Sequence, residues 1–378
     1  MFAWGSCEVG RGEFLEVRIA IAAGGAASGR RRDWQDTVTY VTEAEALGVD
    51  CAWSAEAWGM DAVSPLGFLA ARTTTLTLGT GIMQISARAP SMTAMTALTL
   101  AAISNDRFVL GLGASGPQVV EGLHGIPFAK PVSRMRETIA IVRKAFAGEP
   151  LAFEGEHFVL PRPGGEGKAL RLAQPGNPDI PIYLATLSPR SLELTGELAD
   201  GWLGTSFTPE HAQSFFEHIA RGAARAGRSL ADLDLQVGGS VAFGDDIAPT
   251  IRTRKQGLAF TLGAMGSARS NFYNAAFRRG GFEDVAVESQ RLWLDGQREQ
   301  AVSRIPDEMV MQTSLLGDAR TVRERIRAYQ AAGVTTLMLS PAGRTLSDRL
   351  DTLAQAIDLV RAESKVESEG QDEGGAAR

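Results

Sequence analysis

Several short stretches of this sequence carry residues that could hold a flat, charged ligand and act on it. Glu56 closes the β-rich run 51–56, with Trp53 and Trp58 on either side. A carboxylate among aromatic rings loses solvation, which favours its protonated form, so Glu56 is a candidate general acid or base. A paired structural carboxylate would fit the same place. Gly79-Thr80-Gly81-Ile82 lies inside a strand pattern, where glycine is costly unless a bulge or a close approach needs it. It reads as a barrel corner or as a bulge whose main chain backs a flat ring. Gly111-Leu112-Gly113-Ala114-Ser115-Gly116 matches the dinucleotide fingerprint G-x-G-x-x-G. That fingerprint requires a helix directly behind it and an acid near the end of the next strand. The next acid at a suitable distance, Glu137, lies inside the helical stretch RMRETIAIVRKAF. The segment therefore reads as a strand entering a glycine-rich loop. Ser188-Pro189 is a strong helix start, with serine as cap and proline first. Free N–H groups at such a terminus suit a phosphate, although an ordinary capped helix uses the same residues. Asn271-Phe272-Tyr273-Asn274 could line a substrate pocket or be no more than a polar-aromatic surface.

Composition narrows the chemistry. A net charge of −6 gives no basic footprint, so nucleic acid is not the expected partner. No apolar run reaches the roughly 18 residues that span a bilayer, and Glu8, Glu13 and Glu16 spoil any secretory reading of the first 16 residues. The two cysteines, Cys7 and Cys51, suit a reducing compartment, so a cytoplasmic location is expected. His211 and His218 lie two helical turns apart and His124 and His157 are isolated, so no metal site is expected. The chemistry then falls to protein groups or an organic cofactor.

These residues need a frame. Strand patterns occur at 17–23, 51–56, 76–85, 107–114, 180–186, 200–206, 234–243 and 335–340. Amphipathic helices lie between them, at 34–47, at 133–147 and at the end of the chain through Leu346, Leu350, Leu353, Ile357 and Val360. Thr321 with Glu324 fits a capping box before Ile326. Alternating strands and helices imply a parallel sheet, and eight units close into a (β/α)8 TIM barrel, with an open doubly wound sheet as the alternative. Two interruptions, about 148–179 and 245–320, are expected as insertions at the strand C-terminal rim. The reading is a flexible segment 1–16, a barrel domain 17–362 and a disordered tail 363–378, where apolar content is too low for order.

The stretches WSAEAWGMDAVSPLGFLAA, LGTGIMQISARAPSMTAMTALTL, RFVLGLGASGPQVVEGLHGIPFAKP and IPIYLATLSPRSLELTGELADGW, with GAMGSARSNFYN and RIPDEM, resemble the luciferase-like monooxygenase family in its coenzyme F420-dependent oxidoreductase branch. The resemblance covers roughly 17–360 and implies a barrel holding F420, or FMN as in other branches, at the strand C-terminal ends. It implies a non-prolyl cis peptide at Gly81-Ile82 in a third-strand bulge, with a Gly81 side chain expected to intrude on the ring. It implies cofactor contacts from Thr80, Gly81, Ile82 and Gln84, from Ala114, Ser115, Gly116 and Gln118, and from Thr186, Leu187, Ser188 and Arg190. Glu56 is the first choice of proton donor and His124 the second. Trp58, Asn271 and Tyr273 are expected at the substrate, a small molecule or modified peptide, and a homodimer is left open. The sequence departs from the family where Leu187-Ser188 replaces a glycine before the proline, where Arg190 replaces a lysine and where Leu123 replaces a tryptophan. The smaller side chains Ala22-Ala23-Gly24-Gly25 after the first strand suggest a roomier pocket. An FMN-dependent monooxygenase, a non-catalytic cofactor-binding barrel and a Rossmann dehydrogenase are the alternatives.

Overall fold

Eight short, apolar runs form the barrel staves. They are β1 (Arg18–Ala22), β2 (Cys51–Ser54), β3 (Thr77–Thr80), β4 (Phe108–Gly113), β5 (Ile182–Ala185), β6 (Gly201–Leu203), β7 (Asp234–Phe243) and β8 (Thr336–Pro341). Each pairs in parallel with the next, and β8 returns to β1 with Arg18 opposite Thr336, so the sheet is closed. This computed structural model describes residues 17–24, 31–266 and 270–375; the segment 1–16 lies outside them.

Each strand buries both faces, as a parallel sheet covered by helices must. Outward residues such as Ile21, Leu110 and Leu184 pack against the helices in the main core. Inward residues Ala20, Cys51, Trp53, Val109 and Tyr183 fill the barrel itself. At its lower end the Asp234 carboxylate accepts hydrogen bonds from Tyr183, Thr335 and Thr336 and pairs with Arg18. Burial pushes the Cys51 thiol well above its ordinary range, so it packs as a small apolar group.

The two insertions take different courses. Residues 245–320 follow β7 at the C-terminal rim and build helices there, including Ala248–Gly263 and Phe272–Phe277, around a second apolar core. Residues 148–179 leave the lower end of the helix Pro131–Phe146. Their hairpin, Phe153–Glu154 with Val159–Leu160, climbs that helix until Glu156 and His157 meet Lys130 and Ser133. The helix Ala319–Ala331 is capped by Asp318, which accepts the Thr321 N–H at 2.8 Å, so the expected Thr321 box gives way to a cap three residues earlier. The last helix runs Leu346–Gly375, and Glu363, where the sequence reading begins its tail, is buried between Arg323 and Arg327.

Candidate active site

Past Gly79 the ladder between β3 and β4 slips. Leu78 and Gly79 face Phe108 and Val109, whereas Met83 and Gln84, which continue the same stave, face Leu112 and Gly113. Thr80, Gly81 and Ile82 thus span the length of two residues, Leu110 and Gly111, which is a β-bulge. Thr80 fills the gap in the ladder. Its hydroxyl donates to the Gly111 carbonyl at 2.8 Å and accepts the Gly111 N–H at 2.9 Å. The strands approach so closely that a Cβ on Gly111 would lie 1.8 Å from the Thr80 carbonyl oxygen. The first two glycines of the apparent dinucleotide fingerprint, Gly111 and Gly113, therefore serve strand packing.

Trp53 lies beneath the bulge. Its indole N–H donates to Gln236 Oε1 at 3.0 Å and its ring leans on Tyr183, centroids 5.5 Å apart. A Cβ at Gly79 would lie 2.3 Å from that indole, and one at Gly81 would lie 2.9 Å from Trp53 Cβ. The Gly81–Ile82 peptide is cis, as the resemblance implied. The expected reason for Gly81 is corrected: an added side chain would first strike Trp53, and the bare main chain is what borders the space above.

That space is a cavity of about 580 Å³ at the C-terminal ends of β2 to β5, within the range of cofactor and small-molecule sites. Gly81 and Ile82 form one wall, with Ala114, Ser115, Gly116 and Gln118 from the loop after β4 and Thr186, Leu187 and Ser188 from the loop after β5. Ser115 takes a left-handed φ of 59°, which turns the chain into the short helix Pro117–Val120. Ser188 caps the helix Pro189–Leu198 as its sequence predicts, accepting the Ser191 N–H at 3.3 Å while its own N–H donates to Ser191 Oγ at 3.0 Å. Arg279 reaches from the rim insertion and donates to the Leu187 and Ala275 carbonyls. Burial lowers its proton affinity below the usual arginine range.

Glu56 lines the cavity but is held in an ion pair. Arg88 meets it with both arms, at 2.6 and 2.7 Å, and the N–H groups of Gln84 and Ala62 donate to it at 3.2 and 3.4 Å. All four groups, from three residues, donate to its two oxygens. The expected proton donor is thus a brace between the loop after β2 and the end of β3. Tyr273, also on the wall, is different: burial pushes its phenol above the ordinary value, and it remains a protonated donor.

Comparison with known proteins agrees with this geometry. A model described as luciferase-like monooxygenase matches residues 16–336. The chain belongs to the luciferase-like monooxygenase family. A Mycobacterium tuberculosis protein provisionally named a coenzyme F420-dependent oxidoreductase is 40% identical over 81% of this chain and 90% of its own length. The 5,10-methylenetetrahydromethanopterin reductase of Archaeoglobus fulgidus is 31% identical over 80% of this chain and 89% of its own. Among solved structures, the coenzyme F420-dependent tetrahydromethanopterin reductase of Methanopyrus kandleri superposes with a TM-score of 0.72 at 24% identity, covering 91% of this chain and 97% of that one.

In this luciferase-like enzyme five of the expected site residues stand off the cavity wall. Thr80 is wholly buried behind the bulge. Gln84 is buried and donates from its amide to the Ala57 carbonyl at 3.1 Å, which shapes the wall from behind. His124 sits beside the wall, where its neighbour Leu123 takes the lining position. Arg190 points its helix position to solvent and is exposed. Asn271 is corrected from substrate contact to cap: its amide donates to the Leu262 carbonyl at 2.8 Å and its oxygen accepts the Asn274 N–H at 2.9 Å. Sequence reasoning missed Arg88, Arg279 and the apolar lining residues Phe128, Phe260 and Met265. Arg88 had one signal, as the first cation after the third-strand glycines.

Proposed function

We propose that the chain is an F420-dependent oxidoreductase that moves a hydride between the deazaflavin and an activated double bond or carbonyl. The observation that supports this most is the bulge wall, where Gly81, without a side chain, and Ile82 line a largely apolar cavity together with the loops after β4 and β5. A planar ring can lie flush against such a wall, since no side chain stands on it at Gly81. The 40% identical relative with the F420-dependent name supports the same cofactor. When bound, F420 supplies or accepts the hydride at its central ring.

The chain's own residues do the rest. The bulge, pinned by Trp53 and by Thr80 on Gly111, holds the ring's position. The N–H groups around Ser188, at the start of a capped helix, suit an anionic tail. The Glu56–Arg88 pair fixes the loop that carries Trp58 to the wall. The apolar lining excludes water from the reacting atoms.

A titration of the purified protein with F420 and with FMN, followed by cofactor fluorescence, tests this. F420 should bind with a Kd of about micromolar or tighter and FMN at least tenfold more weakly. The reverse order would replace F420 by FMN and turn the reading towards an oxygen-using monooxygenase.

A further inference from the structure

The cavity wall also carries information about what is brought to the cofactor. Glu56 is the only charged side chain among the described residues that line it, and Arg88 neutralises that charge. The upper lining is hydrocarbon. Phe128, from the loop after β4, meets Phe272, from the rim insertion, with ring centroids 6.2 Å apart. Trp58, Leu123 and Phe260 line the same cavity and are 58%, 58% and 42% exposed. Large apolar side chains left together at one opening mark a surface that receives an apolar ligand.

Few polar groups on the wall are uncommitted. Ser188 and Ser191 bond each other in the helix cap, and Thr186 bonds Thr195 at 2.7 Å. Ser115, Gln118 and Tyr273 are the exceptions, for their side chains make no hydrogen bond with any described residue, and of these Tyr273 shares the rim insertion with Phe260 and Phe272. The Tyr273 hydroxyl is half-buried on the wall, and as a donor with no protein partner among the described residues it is open to a ligand acceptor. Away from the helix start at Ser188, among Trp58, Leu123, Phe260 and Phe272, a substrate carboxylate would meet no free cation among the described lining residues, and an unpaired charge there is disfavoured.

Taking F420 as the bound cofactor, we propose that the substrate is a neutral, largely apolar carbonyl compound. Its hydrocarbon body lies among Trp58, Leu123, Phe260 and Phe272, and its oxygen accepts a hydrogen bond from Tyr273.

Three probes of similar size separate the terms: benzalacetone as the neutral enone, 1-phenylbut-1-ene as its hydrocarbon counterpart and cinnamate as the charged one. Each is titrated by calorimetry into the full chain loaded with oxidised F420, and again into the cofactor-free protein. Benzalacetone should bind about tenfold more tightly than the alkene, the usual worth of one hydrogen bond. Cinnamate should bind about a hundredfold more weakly than benzalacetone. Tyr273→Phe should erase the enone's advantage over the alkene while leaving alkene and F420 affinities within about twofold. The proposal is overturned if cinnamate binds as tightly as the enone, if Tyr273→Phe leaves the advantage intact, or if the enone fails to bind. Loss of F420 binding alone would instead sink the cofactor reading, and the cofactor-free titrations would still decide the substrate class.

Discussion

Beneath the cavity, Trp53, Thr80 and Gln84 are at most 3% exposed, and each is fixed by hydrogen bonds to a different neighbouring segment. Above it, Trp58, Leu123 and Phe260 are between 42% and 58% exposed, and Arg279 is the tie from the insertion to the loop after β5. The floor is over-determined by contacts that tolerate no extra atom, whereas the roof rests on few. In a redox enzyme that division has a use. Cofactor position must be exact to fractions of an ångström, while substrates must enter and leave.

The sharpest way to break this comparison is Gly111→Ala. The added methyl would overlap the Thr80 carbonyl, and the expected loss is about 3 kcal/mol or more, read as a large fall in Tm or in soluble yield. Stability equal to wild type would mean that the two strands are not interlocked. Next in size is Arg88→Met, which strands the Glu56 carboxylate. With Glu56 9% and Arg88 20% exposed, about 2–3 kcal/mol should be lost, below the cost of breaking a fully buried pair. A double-mutant cycle with Glu56→Gln should show coupling above about 1 kcal/mol; additive losses would deny the brace. Smallest should be Arg279→Gln in the roof. Global stability should change by less than about 1 kcal/mol, yet amide hydrogen exchange across 272–282 should quicken. Unchanged exchange there would assign the insertion's anchorage to other contacts.

The floor was far more legible than the roof. All eight staves lie where the strand patterns stand, because a fully buried parallel strand is written as a short apolar run between turn signals. The helix start at Ser188 was legible too, since capping is local chemistry. What could not be read was anything that depends on distance through space. Glu56 looked like an acid beside two tryptophans, but its decisive neighbour, Arg88, is 32 residues away in the chain. Asn271 looked like a pocket residue because its polar-aromatic setting is the same whether the amide faces a ligand or a helix carbonyl. Phe128, Phe260 and Met265 carry no signature that separates a roof from an ordinary core.

Trp53 belongs to two layers at once: it packs inside the barrel on Tyr183 and supports the bulge from below. Divergence among barrels of this build is therefore steered. A lineage can exchange Leu123 with little disturbance, since it is 58% exposed, and Phe260 or Phe272 at the loss of a single ring contact each. A change in the bulge would require the indole, two strands and their glycines to change in concert. The floor of the cavity is thus much harder to alter than its roof.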